Sequence, residues 1–147
     1  MNGDTNTLDL TRDGVQFAKW RTAVQDDALA LRSVGYSDAR ILTASFTALN
    51  RKEDVEFRFP DTWAFRVLDE GALLELWAAS SEAPRPAQTT FRVRGHKWQD
   101  ESFLAWIHGT SEPYFSYMIA TDWDCLEVVC HGRPKVRWIE KRVAKAE

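Results

Sequence analysis

The chain has 147 residues, the usual length of a single domain that buries a core without disulfides or metals. Hydrophobic residues make up 44% and charged residues 28%, and the net charge of −3 argues against a general nucleic-acid binder. Two cysteines do not make a disulfide framework, and no apolar run is long enough to cross a bilayer. We therefore expect a cytoplasmic protein with no membrane partner.

The charge is distributed unevenly along the chain. Residues 131–147 hold six Lys or Arg against two Glu, a net of +4, which leaves −7 for residues 1–130. A basic end of this size is typical of a solubilising tail rather than of a nucleic-acid arm. We expect a polar flexible segment at residues 1–14, one domain at residues 15–140 and a basic tail at residues 141–147.

The first patterned segment, residues 15–34, has a helical spacing of apolar residues. Gly35 follows it at a position suited to a helix stop. We therefore predict a helix over residues 15–34, with the alternative that the chain is already extended from Leu29 onward. The apolar residues on its one face are Phe17, Trp20, Val24, Ala28 and Leu31.

The next segment, RILTASFTAL, fits either a strand or a helix. Its threonines and the polar turn NRKED that follows favour a strand. In that strand one face carries alternate residues, namely Leu42, Ala44, Phe46 and Ala48.

The stretch VEFRFPDTWAFRVL has the most regular alternation in the chain. With residues 60–62 as a loop, Phe57 faces Phe65 on an apolar side, and Glu56 faces Arg66 on the other side. We therefore predict a hairpin with Phe65 buried beside Phe57.

The remaining segments complete an α+β pattern. Residues 68–80 fit a short helix or a further strand, residues 90–94 a strand, residues 99–109 a short helix and residues 135–139 a last strand. We predict an α+β single domain, mostly antiparallel β-sheet of about five to seven strands with two or three helices.

The stretch TDWDCLEVVCHG, residues 121–132, is the densest in reactive side chains. We predict that it belongs to a hairpin in which Ile119 faces Leu126. Cys125 and Cys130 then point to opposite faces about 16 Å apart. A disulfide needs Cα atoms within about 7 Å, and metal ligands must converge on one ion. We therefore expect neither a disulfide nor a metal here, and no cofactor.

No catalytic motif stands out elsewhere. His96, His108 and His131 are scattered, and the sequence has neither a nucleophile elbow nor a phosphate-binding glycine loop. We assign no catalytic residue. Four arginines on the polar sides of predicted strands are interpreted as a solvated sheet face rather than an anion site, namely Arg58, Arg66, Arg92 and Arg94.

The turn of the 121–132 hairpin gives the candidate partner-binding residues. Trp123 lies between Asp122 and Asp124, and it is either folded onto the sheet or displayed to a partner. Our first hypothesis is a non-enzymatic protein-binding module. It would cover the surface of a partner, as small acidic bacterial immunity proteins do when they neutralise a toxin. The alternatives are a small-ligand-binding protein with an aromatic pocket and a small hydrolase with a spatially assembled site.

Overall fold

The computed structural model of the chain describes residues 14–80, 85–102 and 115–141. Within these ranges it contains nine strands, two short α-helices and a 3₁₀ turn at Glu70–Ala72. The helices are α1 (Leu74–Ala79) and α2 (Lys97–Glu101). The strands are β1 (Gln16–Lys19), β2 (Leu29–Tyr36), β3 (Leu42–Ala48), β4 (Asp54–Phe59), β5 (Thr62–Asp69), β6 (Thr90–Arg94), β7 (Ser116–Ile119), β8 (Asp124–Cys130) and β9 (Lys135–Ile139).

The strands form two antiparallel sheets. One has five strands in the order β1-β6-β7-β8-β5, and the other has four in the order β2-β3-β4-β9. The predicted antiparallel sheet and two short helices are therefore present, although the described residues hold nine strands in two sheets, more than the five to seven expected. Within these residues no helix is long and apolar enough to cross a membrane.

The main core lies between the two sheets. Alternate residues of each strand point inward, so that both sheets contribute large apolar side chains to one cluster. Phe57 is central to it and stacks on Phe59, with ring centroids 6.3 Å apart. The fully buried members include Phe46, Phe57, Phe59, Ile119, Leu126 and Val128.

A second core lies on the other face of the five-stranded sheet, where α1 covers it. Leu76 and Trp77 of α1 pack in a cluster that also contains Phe17, Phe91 and Met118. The Trp77 indole N–H donates to the Glu70 carbonyl at 3.1 Å, which fixes α1 to the turn before it. Both faces of the five-stranded sheet therefore carry buried apolar residues.

Several local predictions are confirmed by the structure. β3 buries Leu42 and the alternate residues after it, β6 occupies residues 90–94, and β9 occupies residues 135–139. The β7–β8 hairpin has the predicted register, with Ile119 opposite Leu126. Residues 68–80 end β5 and then form the turn and α1, so the helical alternative holds there.

The predicted helix over residues 15–34 is wrong. The segment forms β1, a turn and β2, and Gly35 lies inside β2 instead of ending a helix. β1 pairs with β6 and places Phe17 in the core under α1, whereas β2 pairs with β3 and places Leu29 in the core between the sheets. Long-range pairing thus overrides a helical spacing that arose from two separate strands.

The predicted hairpin of residues 55–67 is also wrong. Both strands exist, but β4 pairs with β3 and β9, whereas β5 pairs with β8 in the other sheet. Asp61 has a φ of 44° at the corner between them, and its carbonyl accepts from the His131 backbone N–H at 2.9 Å. Phe57 is fully buried, while 37% of Phe65 is exposed.

Some predictions fall on residues outside the described ranges. They are residues 1–13 of the N-terminal segment, residues 103–109 of the predicted helix with His108, and residues 142–147 of the basic tail. Of that helix, the described part is contained in α2 and the residue after it.

Candidate functional site

The loop 121–124 joins β7 to β8, and we call it the tip. Thr121 Oγ1 accepts from the Trp123 backbone N–H at 2.9 Å and donates to the Asp124 carbonyl at 2.8 Å, which closes the turn. The Trp123 carbonyl accepts from the Glu70 N–H at 2.7 Å. These hydrogen bonds hold the backbone of Trp123 on both sides, while 55% of the residue is exposed. The indole is therefore displayed and not folded onto the sheet.

Carboxylates surround the displayed indole. Asp124 lies opposite Asp69 at the end of the β5–β8 pair, and Glu70 follows Asp69. Asp122 binds Arg85 at 2.8 Å. Asp122, Trp123 and Asp124 share the tip because they are consecutive in the chain. Asp69 and Glu70 lie beside the tip and add two carboxylates to its own two. With the guanidinium of Arg85, the local charge is −3.

A second exposed apolar surface runs along β5. Phe65 lies opposite Val128 and Val67 lies opposite Leu126, so both side chains are on the inter-sheet face. The other sheet does not cover them at this edge, and both stay exposed. Tyr36 of β2 contacts Phe65, with ring centroids 5.8 Å apart. We call Tyr36, Trp63, Phe65 and Val67 the edge patch.

The edge patch and the tip belong to one side of the molecule. Within the described ranges β5 pairs with β8 alone, so it is the edge strand of its sheet. It runs from the edge patch to Asp69, beside the tip. Sequence reasoning missed the edge patch because it placed β5 inside a hairpin, where Phe65 would be buried.

A buried polar cluster lies under the helices. Glu127 accepts from Arg66 at 2.7 Å, and its other oxygen lies 2.5 Å from His96 Nε2. Both Glu127 and His96 are 0% exposed. Arg66 also stacks over the Trp98 ring at 4.6 Å.

The charge of Glu127 is set by opposing effects. Burial raises the pKa of its carboxyl, but the hydrogen bond with His96 and the attraction of His96 and Arg66 outweigh burial, so the pKa is lowered. The carboxylate is therefore ionised inside the protein. The sequence offered one signal for this cluster, a lone carboxylate within the apolar run CLEVVC.

The two cysteines occupy different cores, as their spacing predicts. Cys130 belongs to the inter-sheet core and Cys125 to the core under α1, and both are free thiols. Cys125 is more than a small strand residue, because it is fully buried and its sulfur accepts from the Thr121 N–H at 3.3 Å. Within the described ranges no three His, Cys, Asp or Glu side chains are grouped to hold a metal.

Both thiols are expected to be unreactive in the native protein. Burial raises the pKa of Cys130 to about 12 and also raises the pKa of Cys125, so little thiolate exists at neutral pH. We expect no reaction with an aromatic disulfide reagent at pH 8 in minutes, and two thiols per chain in denaturant. Rapid release of one equivalent from native protein would contradict the burial of that cysteine.

The four arginines predicted to form a solvated face do not lie together. Arg58 is on the four-stranded sheet, and Arg66 binds the buried Glu127. Arg92 and Arg94 both lie 5.4 Å from the Phe115 ring. Arg92 also lines a basic cavity at the β9 side of the sandwich, far along the sheet from β5.

Comparisons of the chain with protein families, with curated proteins and with solved structures find no match.

Proposed function

We propose that the chain is a non-enzymatic protein-binding module whose partner covers the edge patch and the tip. One observation carries the proposal: an edge strand with exposed apolar side chains leads directly to an exposed tryptophan among acids. Contiguous exposed apolar surface on a small protein is typical of interaction sites. Aromatic side chains are also enriched in the residues that dominate binding energy.

The edge strand supports a protein as the occupant. An unpaired strand edge offers backbone N–H and C=O groups to an incoming strand, while alternate side chains provide specificity. On β5, Phe65 and Val67 are two residues apart and on one face, as such recognition needs.

The tip supports a partner with a basic surface. Its local charge of −3 and the −7 of residues 1–130 favour approach of a cationic protein, and Trp123 supplies apolar area to be desolvated. Proteins that cleave nucleic acids have basic active sites, because their substrates are polyanions. We therefore propose, as the finer assignment, a bacterial immunity-type protein that neutralises such a toxin.

The hydrolase alternative is less well supported by the geometry. His96 and Glu127 form the shorter of the two His–carboxylate contacts in the described residues, but both side chains are fully buried. A general base must reach the proton that it removes from a substrate. We therefore interpret the pair as part of the core.

The experiment places a photocrosslinking amino acid at Phe65 and, as a matched control, at Leu49. Leu49 is also an exposed apolar residue, but it lies at the end of β3 away from β5. The proposal predicts one crosslinked protein from Phe65 and none from Leu49 in the source cells. That protein is then purified, and its association with the chain is measured by biolayer interferometry.

Trp123→Ala is expected to weaken the purified complex at least about thirtyfold, mainly through faster dissociation, since hot-spot residues contribute about 2 kcal/mol or more. Reversing Asp122 and Asp124 to lysine should slow association and reduce its salt dependence. Leu49→Ala should change neither rate. Unchanged kinetics with Trp123→Ala would remove the tip from the interface. A dimer of the chain alone that dissociates on Phe65→Lys would assign the edge patch to a second copy instead.

A further inference from the structure

We propose that the basic cavity at the β9 side binds a small phosphorylated molecule carrying a ring with hydrogen-bond donors, the chemistry of a nucleoside phosphate. This site is separate from β5 and the tip, and the inference does not depend on the protein-binding proposal. We call it the basic cleft, and its lining includes Lys19, Trp20, Arg21, Arg92, Tyr117 and Arg133.

The basic cleft lies where the two sheets separate. Arg92 and Tyr117 come from β6 and β7 of one sheet, and Val136 comes from β9 of the other. Its volume of about 630 Å³ is within the range of small-molecule sites. The gap between the sheets is therefore large enough to hold a nucleotide-sized ligand.

Aromatic side chains form a fixed wall in the basic cleft. Trp20 meets Tyr117 edge to face, with ring centroids 4.8 Å apart, and packs against Phe57 of the core at 5.6 Å. Both Trp20 and Tyr117 are half-buried. A ring held in this way gives a ligand ring a contact surface without ordering the side chain on binding.

The charge of the lining has one sign. Lys19, Arg21, Arg92 and Arg133 line the basic cleft, and no Asp or Glu is among the described residues that do so. This is unusual in a chain whose net charge is −3. Positive clefts with low-dielectric walls concentrate anions, so phosphate groups are the ligand chemistry that this lining favours.

Three of these cationic side chains have no polar partner among the described residues. The side chains of Lys19, Arg21 and Arg133 make no hydrogen bond or ion pair with other described residues. Several arginines elsewhere bind carboxylates, as in the Arg51–Asp27, Arg66–Glu127 and Arg137–Glu56 pairs. No described carboxylate occupies the three cations of the basic cleft in this way, so they are available to an external anion.

Arg92 is held in position for such a ligand. Its Nε donates to the Lys19 carbonyl at 2.9 Å, and its guanidinium lies 5.4 Å from the Phe115 ring. These contacts restrict the side chain before any ligand arrives, which lowers the entropy lost on binding.

The donor groups of the ligand are inferred from a neighbouring cavity. It has a volume of about 340 Å³, shares Lys19, Trp20 and Arg21 with the basic cleft, and is also lined by Gln88. The buried Oε1 of Gln88 has no hydrogen-bond donor among the described residues. A hydroxyl or amino group of a ligand would satisfy this acceptor, as buried polar atoms require.

The test uses ADP as the probe, with adenosine and pyrophosphate as its two halves. We expect ADP to shift the indole N–H resonance of Trp20, which is assigned in ¹H–¹⁵N spectra by its loss in Trp20→Phe. The dissociation constant of ADP should be lower than that of either half. Lys19→Glu with Arg21→Glu should raise it at least about tenfold, because hydrogen bonds to charged groups contribute that much.

The matched control is Arg58→Glu with Lys135→Glu. These two exposed cations are opposite each other on β4 and β9, and their reversal changes the net charge by the same amount. The affinity for ADP should be unchanged in this control. It should be reduced in Arg133→Glu, a single change in a loop, which tests the inference even if the Lys19→Glu, Arg21→Glu variant does not fold. Equal losses in the control, or no shift of Trp20 with millimolar ADP, would overturn the inference.

Discussion

Phe57→Ala is expected to lower the free energy of unfolding by about 3–5 kcal/mol. Phe57 is fully buried, stacks on Phe59 at 6.3 Å and meets Phe46 edge to face at 5.5 Å. Removing its ring therefore leaves a cavity between the two sheets. The strand pairing within each sheet limits how far the surrounding residues can move to fill that cavity. Urea unfolding followed by tryptophan fluorescence measures the change.

Phe65→Ala is the matched control for Phe57→Ala. It deletes the same side chain from β5, where Phe65 is 37% exposed and contacts Tyr36 at the open edge. We expect a loss below about 1.5 kcal/mol, because only part of the ring leaves an apolar environment. Similar losses for the two variants would support the discarded hairpin, in which both rings share one buried face.

The contrast between these phenylalanines shows what a local sequence pattern can establish. Alternation identified both β4 and β5 as strands and placed Phe57 on an inward face. It did not identify the strand partners, because a short loop also allows the chain to pass from one sheet to the other. At Asp61 the backbone turns through a positive φ, and the two strands separate.

The helix expected over residues 15–34 failed for a related reason. Five apolar residues at helical spacing came from β1, the turn after it and β2, and the two strands pair with different partners. A spacing of apolar residues indicates a helix only within one continuous element. Residues 15–34 contain a turn, so their helical spacing is a coincidence. No proline or glycine at residues 20–28 signalled that turn.

The functional surface was predictable only in part. The place of Trp123 at a turn follows from a hairpin whose register was read from the sequence, whereas its exposure was one of two alternatives that the sequence left open. The edge patch, the buried Glu127 cluster and the basic cleft depend on which strands are neighbours and on what covers each sheet face. Such contacts join residues that are far apart in the chain, so the alternation of residues within one β-strand carries no information about them.

Glu127→Ala is expected to cost about 3–5 kcal/mol, because it removes the carboxylate that pairs with Arg66 and the hydrogen-bond partner of His96. His96 is fully buried, and Arg66 is held between Glu127 and the Trp98 ring. Glu56→Ala is the control: it breaks a pair of the same 2.7 Å length with Arg137, but Arg137 is 71% exposed. Water replaces that partner, so we expect a loss within about 1 kcal/mol.

Glu127→Gln keeps the side-chain volume and removes the charge, which makes the contribution of the carboxylate measurable against pH. The pKa of Glu127 is lowered in the native state, so on acidification the unfolded chain takes up this proton first, near its usual pKa of about 4.3. The stabilisation is therefore complete above that pH and is lost as the pH falls through the native pKa. We expect the difference in unfolding free energy between the native protein and Glu127→Gln to be largest at pH 7 and to shrink between about pH 5 and pH 3. A difference that stays constant over this range would show that the carboxylate is not preferentially ionised in the folded protein. The stability of the cluster would then arise from packing alone.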